Sequence, residues 1–224
     1  MIRILIADDH HLVRSGIRSI LEGKSGWEVC AEASDGYEAV ALTRQLKPDV
    51  VILDFYMPRL NGLDAARQIL NENARQKLLF LTVAHSEEVA WQILNVGARG
   101  YVLKSDAAHE LVDGIESLLC NRLYCTARVS SMVLEGYLKP NTAACHATES
   151  LTVRERQIVQ LIAEGYVTKE AAAMLGISIK TAETHRSNIM RKLHIHSVAE
   201  LVLYAVRNNL VQNASSNWLH TRAA

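Results

Sequence analysis

The stretch that decides the fold is Asp49-Val50-Val51-Ile52-Leu53-Asp54-Phe55-Tyr56-Met57-Pro58. Its four consecutive apolar residues show no period-two alternation, which predicts a short strand buried on both faces. Pro58 ends the strand and opens a loop, because proline has no amide proton for a strand ladder. Asp54 therefore stands at the C-terminal end of a buried strand, the edge at which open parallel sheets bind ligands. From this stretch alone, Asp54 is either a loop cap or the working group of a site.

Four more strands flank this one in the first half of the chain, and a helical pattern follows each of the five. Short parallel connections require right-handed crossovers, so the alternation predicts a doubly wound α/β domain with a five-stranded parallel sheet, at residues 1–122. The predicted strands are Arg3–Ala7, Trp27–Ala33, Asp49–Leu53, Leu78–Thr82 and Gly100–Leu103.

Bulk composition narrows the class of protein. A chain of 224 residues is comfortable for two domains. No apolar run reaches the roughly 18 residues of a membrane span, and acids appear too early for a signal peptide, so we expect a cytoplasmic protein without membrane contact. The four cysteines form no C-x-x-C pair, and the histidines lack zinc-ligand spacing. Residues 151–210 carry eight Lys and Arg against five Asp and Glu, which is compatible with a nucleic-acid-binding half.

Polar residues stand at the C-terminal ends of four of the predicted strands: Asp8 and Asp9, Asp54, Thr82, and Lys104. Individually they read as a helix cap, a strand residue or a surface lysine, but together they predict one pocket. Crowded carboxylates repel unless a hard cation joins them, and Mg²⁺ prefers such oxygen ligands. An aspartate can attack a phosphoryl group, and an ammonium such as that of Lys104 can neutralise its oxygens. The Thr82 hydroxyl can donate to a phosphoryl oxygen.

Residues 1–120 resemble the receiver domain of two-component response regulators, in Ile6-Ala7-Asp8-Asp9, Leu53–Pro58 with Asn61-Gly62, Leu81-Thr82 and Gly100–Lys104. The resemblance implies a flavodoxin-like sheet of order 2-1-3-4-5 and Mg²⁺ as cofactor. It also implies that Asp54 accepts a phosphoryl group from a sensor histidine kinase, with Thr82 and Lys104 assisting.

The same resemblance assigns roles around the cation and the switch. Asp9 is implied as a direct Mg²⁺ ligand together with Asp54, Asp8 as an acid acting through water, and the backbone carbonyl of Tyr56 as a further ligand. Tyr101, three residues before the lysine, stands where the family keeps a switch aromatic. Directly after Thr82, this chain has Val83 where many receivers carry Ala or Gly. The larger side chain is expected to narrow access to the pocket without deleting a reactive group.

The second half predicts a small all-α domain of four helices at residues 151–212. Residues 123–150 read as a linker with a possible helix, and residues 213–224 as a flexible tail. A capping box, Thr152-Val153-Arg154-Glu155, opens the first helix of the domain. The third helix, Ile179–Leu193, should bury Ile179, Ala182, Ile189 and Leu193, while its other faces carry hydroxyl, amide and basic groups that suit phosphates and base edges.

Residues 151–210 resemble the LuxR-type helix-turn-helix domain, in Leu151-Thr152-x-Arg154-Glu155-Arg156, Ile162–Gly165, Lys169-Glu170 and the run Lys180–Leu193. The whole chain thus resembles a NarL/FixJ-type response regulator. The resemblance implies base contacts by Glu183, Thr184 and Ser187, and phosphate contacts by Lys169, Lys180, Thr181, His185, Arg186 and Lys192. It implies a dimer contact through Leu201, Val202, Ala205 and Val206.

The leading hypothesis is a transcription factor in which phosphorylation of Asp54 controls dimerisation and binding to an inverted-repeat operator in double-stranded DNA. Two alternatives remain open. An aspartyl-phosphate phosphatase of the haloacid-dehalogenase kind needs a second acid two residues after the nucleophile, where this chain has Tyr56. The other alternative is a regulator that binds DNA independently of phosphorylation and uses its receiver only for dimer contacts.

Overall fold

The computed structural model describes residues 1–83, 86–138 and 151–212. The predicted linker segment 139–150 and the predicted tail 213–224 lie outside the described residues. The chain divides into two compact units, residues 1–146 and residues 147–224. Within the described residues, no helix combines the length and the apolar character needed to cross a bilayer.

The first unit contains one parallel sheet, whose strands are β1 (Ile2–Ala7), β2 (Trp27–Ala33), β3 (Val50–Leu53), β4 (Lys77–Thr82), β5 (Gly100–Leu103) and β6 (Tyr124–Cys125). Their spatial order is β2-β1-β3-β4-β5-β6, so the predicted order 2-1-3-4-5 is confirmed and extended by one strand. All four residues of β3 are buried, as its unbroken apolar run predicted.

Six helices accompany the sheet: α1 (His11–Glu22), α2 (Gly36–Leu46), α3 (Gly62–Glu72), α4 (Glu87–Asn95), α5 (Ala107–Leu119) and α6 (Ala127–Leu138). Residues of α1 and α5 share one apolar core with β1, β3, β4 and β5, whereas residues of α2, α3, α4 and α6 share the other. The two faces of the sheet are therefore both covered, which confirms the doubly wound arrangement.

Side-chain caps fix the start of several helices near the carboxyl edge of the sheet. The carboxylate of Asp35 accepts the Glu38 amide at the start of α2. Likewise, the Asn61 side chain accepts the Asp64 amide at 2.8 Å and starts α3 directly after the loop that follows β3. These caps hold the loops of that edge in place.

The segment 124–138 belongs to the first unit, which the sequence pattern missed in part. The possible helix there is confirmed as α6, but β6 pairs with β5 through Gly100–Tyr124 and Tyr101–Cys125. The sheet thus extends past residue 122, the predicted end of the receiver domain. A strand of two residues is too short to produce a periodic signal.

Between residues 151 and 212, the second unit contains α7 (Val153–Ala163), α8 (Thr168–Met174), α9 (Ile179–Lys192) and α10 (Val198–Arg207), the four helices that the sequence predicted there. The capping box at α7 is present in full, with the Thr152 amide donating to Glu155 Oε2 at 2.8 Å and the Glu155 amide donating to Thr152 Oγ1 at 3.2 Å.

The buried face of α9 is only partly as predicted. Ala182 and Ile189 are fully buried. Leu193 is half-buried, and the prediction for Ile179 is wrong, because 46% of its surface is exposed. Ile179 is the first residue of the helix, and helical side chains lean towards the N-terminus, so its side chain projects past the start of α9.

Candidate functional site

The predicted polar residues of the first unit do converge at the carboxyl edge of the sheet. Backbone hydrogen bonds align the strand ends: the Asp54 amide donates to the Ala7 carbonyl at 2.8 Å, and the Lys104 amide donates to the Thr82 carbonyl at 3.0 Å. These bonds bring the ends of β1, β3, β4 and β5 side by side. Asp8, Asp54 and Thr82 are each at most 3% exposed, so they form a pocket rather than a surface patch.

Lys104 joins two of the carboxylates. Its Nζ atom lies 2.8 Å from Asp54 Oδ2 and 2.7 Å from Asp8 Oδ2. Burial disfavours the ammonium form, but the charges of Asp54 and Asp8 more than offset it and raise the pKa of Lys104. The lysine therefore remains charged and partly neutralises the acid pocket.

The Asp54 carboxyl has an unusual proton affinity. Burial raises its pKa to about 6; Lys104 opposes the shift, and the charges of Asp8 and Asp9 add to it. Its second oxygen, Oδ1, accepts the Phe55 amide at 2.7 Å. Asp54 is thus a fixed, poorly solvated carboxylate at neutral pH, and such a group gains from any added cation.

A divalent cation fits beside these acids. Asp8, Asp9, His10 and Asp54 place one ligand atom each within 4.8 Å of one another. The carboxylate oxygens are hard donors of the kind that Mg²⁺ prefers. Direct ligation by Asp9, water-mediated ligation by Asp8 and ligation by the Tyr56 carbonyl stay predictions with which this donor set agrees.

His10 is a member of this cluster that sequence reasoning missed. Its Nδ1 atom lies 2.7 Å from Asp9 Oδ1 and 3.4 Å from Asp8 Oδ1. The search for zinc-type spacing set the histidines aside, because it compared histidines with one another. The signal that could have identified His10 is its position directly after the acid pair Asp8-Asp9.

Thr82 and Tyr101 both have no exposed surface. Tyr101 lies in the same apolar core as Val89 of α4 and Val129 of α6, and burial raises the pKa of its phenol, so the ring is uncharged. Val83, the departure from the family pattern, is 49% exposed directly after Thr82. The predicted switch aromatic is therefore buried in the core to which α4 and α6 both contribute.

Gly62 lets the start of α3 pack closely against the backbone of Asp54 and Phe55. Its amide donates to the Phe55 carbonyl at 3.0 Å, and a Cβ atom added at Gly62 would overlap the backbone carbonyl of Asp54. Only glycine permits this close approach of α3 to the loop after β3. The Asn61-Gly62 pair of the sequence thus has a structural reason: the asparagine caps α3 and the glycine lets it approach Asp54.

The second unit presents the predicted nucleic-acid face mainly on α9. Most of the predicted contact residues are exposed, and His185, Arg186 and Lys192 are half-buried. The exposed set is Lys169, Lys180, Thr181, Glu183, Thr184 and Ser187. Basic, hydroxyl and carboxylate groups, most of them on α9, are the kinds of group that contact phosphates and base edges.

Three side chains of this face also make contacts within the unit. Lys192 Nζ lies 2.8 Å from Oε2 of the buried Glu155 on α7. Arg186 donates to Thr168 Oγ1 at 3.2 Å, and Thr184 Oγ1 donates to the Lys180 carbonyl at 2.9 Å. Lys192 and Arg186 therefore connect α9 to neighbouring elements, a role that helical spacing did not reveal.

The predicted dimer contact on α10 needs a correction. Leu201 and Ala205 have no exposed surface and face the interior of their own unit, so they are not available to a partner. Val202 and Val206 are half-buried, and Leu203, which the prediction omitted, is 54% exposed. The apolar stripe of a helix marks its buried face, and two of the four residues that the resemblance implied for the dimer contact lie on that face.

Comparison with known protein families gives two matches. The response regulator receiver domain matches residues 4–116, and the luxR family of bacterial regulatory proteins matches residues 149–205. Each match falls within one of the two units described above.

Individual relatives match almost the entire chain. Transcriptional regulatory protein LiaR of Bacillus subtilis is 38% identical over 211 residues, which cover 94% of this chain and all of LiaR. Oxygen regulatory protein NreC of Staphylococcus aureus is 37% identical over 215 residues, covering 94% of this chain and 99% of NreC.

A solved structure, that of RcsB from Salmonella enterica serovar Typhimurium bound to promoter P1flhDC in the presence of phosphomimetic BeF₃⁻, is 26% identical with a TM-score of 0.59. The match covers 91% of this chain and 97% of the RcsB chain. The two units, their order along the chain and the named relatives all indicate the same family. The chain therefore belongs to the NarL/FixJ type of two-component response regulators, with a receiver domain and a LuxR-type DNA-binding domain, and it regulates transcription.

Proposed function

We propose that Asp54 is phosphorylated by a sensor histidine kinase in the cytoplasm, and that this modification controls dimerisation and operator binding. The observation that carries the proposal is the buried pocket in which Lys104 holds the carboxylates of Asp54 and Asp8. A lysine placed between two acids is already positioned for the additional negative charge of a phosphoryl group.

The chemistry is an in-line displacement. An Asp54 carboxylate oxygen attacks the phosphorus of a phosphohistidine, a P–O bond forms, and the P–N bond breaks as the leaving imidazole takes a proton. Asp9, Asp54 and the Tyr56 carbonyl would hold Mg²⁺, with Asp8 acting through water, and the ion would neutralise charge on the transferred group. Lys104 neutralises a second oxygen and holds Asp54 in a fixed orientation. The chain's own catalysis is limited to this transfer and to slow hydrolysis of the acyl phosphate.

The signal leaves the pocket through Thr82 and Tyr101. A phosphoryl oxygen accepts the Thr82 hydroxyl, which draws the end of β4 towards Asp54 and changes the packing around the Tyr101 ring. Tyr101 shares its core with residues of α4 and α6, so a shift of its ring would change the packing of these helices. A local electrostatic change thus becomes a change of shape.

The output is sequence-specific DNA binding by a homodimer. Two α9 helices would enter successive major grooves of an inverted repeat, with Glu183, Thr184 and Ser187 at base edges and Lys169, Lys180, Thr181, His185, Arg186 and Lys192 at phosphates. The exposure of most of this set supports the proposal. On α10, Val202, Val206 and Leu203 are the candidates for the dimer contact.

A DNA titration tests the proposal. An operator duplex, selected from random-sequence DNA by binding to the phosphorylated protein, is titrated with wild type and Asp54→Asn. Each titration is run with and without acetyl phosphate and Mg²⁺, at two salt concentrations. We expect the donor to increase the affinity of wild type and to leave Asp54→Asn unchanged. Equal affinities of wild type with and without the donor would contradict control by phosphorylation.

A further inference from the structure

A cleft adjoins the acid pocket on the α6 side. It is lined by Thr82, Val83, Leu103, Ser105 and Arg128, with a volume of about 220 Å³. Liquid water occupies about 30 Å³ per molecule, so the cleft has room for a small anion and its hydration. Because Thr82 lines both the cleft and the acid pocket, the two share a wall.

Formal charges show what the pocket lacks after phosphorylation. Asp8, Asp9 and Asp54 carry three negative charges, which Lys104 and one divalent cation balance. An acyl phosphate replaces the single charge of Asp54 with about two, because the second pKa of a phosphoryl group lies near 6. The modified pocket therefore needs one more positive charge.

Arg128 carries a charge of that sign in the adjoining cleft. It is exposed, and it makes no hydrogen bond or ion pair with any residue in the described part of the chain. By contrast, Arg14, Arg18 and Arg67 in the same unit all pair with carboxylates. A guanidinium group offers paired N–H donors that match two phosphoryl oxygens.

The start of α6 adds to the positive potential around Arg128. The first turn of the helix contains no acidic residue, although the amide groups there form the positive end of the helix dipole. Thr126, the residue before the helix, is 4% exposed and its hydroxyl has no hydrogen-bond partner among the described residues. Arg128 thus lies at an electropositive helix start without a compensating group, where an anion would be stabilised.

The position of α6 is fixed by its core residue. Val129, next to Arg128 in sequence, has no exposed surface and packs in the core that contains Tyr101, and the Thr126 amide donates to the Tyr101 carbonyl at 3.4 Å. The backbone of Arg128 is therefore held beside β5, and its side chain lines the same cleft as Thr82.

From these observations we propose that Arg128 binds the phosphoryl group carried by Asp54, together with Lys104 and Thr82. The inference rests on the proposed function, because it requires the phosphoryl group. It adds that α6 responds to the modification directly, through an ion pair, as well as through the packing of Tyr101.

The test measures phosphoryl binding in the full chain. Beryllium fluoride with Mg²⁺ serves as the probe, its affinity is measured by calorimetry, and the lifetime of the acyl phosphate formed with acetyl phosphate is measured alongside. The variants are Arg128→Ala, Arg128→Gln and Arg128→Lys. The matched control is Arg122→Ala, which removes the same charge from an exposed arginine just beyond the C-terminal end of α5.

We expect Arg128→Ala and Arg128→Gln to weaken beryllium fluoride binding by about tenfold and to change the acyl-phosphate lifetime, because a charge-assisted hydrogen bond is lost. Arg128→Lys should lose less affinity for beryllium fluoride, and Arg122→Ala should match wild type in both affinity and lifetime. Wild-type affinity and lifetime in both Arg128→Ala and Arg128→Gln would overturn the inference and leave the proposed function intact. Failure of the wild type to form any acyl phosphate would instead overturn both.

Discussion

The ammonium nitrogen of Lys104 lies 2.8 Å from Oδ2 of Asp54, and the same nitrogen lies 2.7 Å from Asp8. The two carboxylates are almost completely buried, so neither has enough water to compensate for its charge. The contact between Lys104 and Asp54 links the stability of the receiver unit to its proposed chemistry. Lys104 neutralises the buried acids, and the same ammonium group would bind the oxygens of the phosphoryl group.

Removal of Lys104 should destabilise the receiver unit. Lys104→Met leaves Asp8 and Asp54 buried without their cation, and loss of one partner of a buried pair costs about 3–5 kcal/mol. We expect a matching fall in the free energy of unfolding, measured by urea titration without Mg²⁺. Addition of Mg²⁺ should restore part of it, since the ion also neutralises the acids.

The control for this change is Lys24→Met. Lys24 pairs with Glu116 at 2.5 Å, but both side chains are more than 40% exposed. Exposed pairs contribute about 1 kcal/mol or less, so this variant should unfold almost as wild type does. Similar losses in the two variants would show that Lys104 makes no special contribution.

The raised pKa of Asp54 predicts a pH dependence of stability. Between the ordinary value of 3.8 and the folded value of about 6, the folded state holds this proton more tightly than the unfolded state. The contribution of Asp54 to stability therefore falls as pH rises through that window and levels off above it. Without Mg²⁺, the free energy of unfolding of Asp54→Asn should rise relative to that of wild type by up to about 3 kcal/mol between pH 4 and pH 7.

Unfolding titrations of wild type and Asp54→Asn at several pH values check this expectation. Asparagine has no proton to titrate, so the difference between the two curves isolates the Asp54 carboxyl, while Lys104 keeps its contact with Asp8 in both proteins. A difference that is constant from pH 4 to pH 7 would mean that Asp54 titrates as an ordinary exposed carboxyl.

Gly62 should not tolerate a side chain. In Gly62→Ala the new Cβ overlaps the Asp54 carbonyl, so the loop after β3 has to move and the nucleophile moves with it. We expect loss of acyl-phosphate formation together with a lower melting temperature. Gly16→Ala is the matched control, because Gly16 lies within α1 with no neighbouring atom near the added Cβ. That change should stabilise the helix by about 0.5–1 kcal/mol and leave phosphorylation unchanged.

Two lysines of α9 should behave differently on substitution. Lys180 is exposed, so Lys180→Ala should weaken DNA binding for all sequences and reduce the salt slope by about one, without changing the melting temperature. Lys192 is paired with the buried Glu155, so Lys192→Ala should lower the melting temperature of the DNA-binding unit as well. Melting curves and salt-dependent titrations of the two variants separate these effects. Equal melting temperatures of the two variants would contradict a structural role for Lys192.

Most of the receiver fold followed from the sequence, because buried parallel strands leave unbroken apolar runs and their ends fall on one edge. The runs at Val50–Leu53 and Gly100–Leu103 sufficed to bring Asp54 and Lys104 together. By contrast, β6 is too short for any periodic signal, and its presence depends on pairing with β5. Tertiary contact, rather than local pattern, decides such an element.

Side-chain partners were harder to anticipate than positions. Helical spacing placed Lys192 on the outer face of α9, but the partner that binds it, Glu155, lies 37 residues away on α7. Similarly, Leu201 and Ala205 follow the apolar stripe of α10, and the stripe proved to be the buried face of the unit. Spacing along one helix does not specify which neighbouring element covers it.

The central claim is that the acid pocket takes up a phosphoryl group on Asp54. The most direct measurement is mass spectrometry of the intact chain after incubation with acetyl phosphate and Mg²⁺, for wild type and Asp54→Asn. The account predicts one phosphoryl group per wild-type chain, labile to hydroxylamine as an acyl phosphate is, and none on Asp54→Asn. An unmodified wild type, or equal modification of the two proteins, would contradict it.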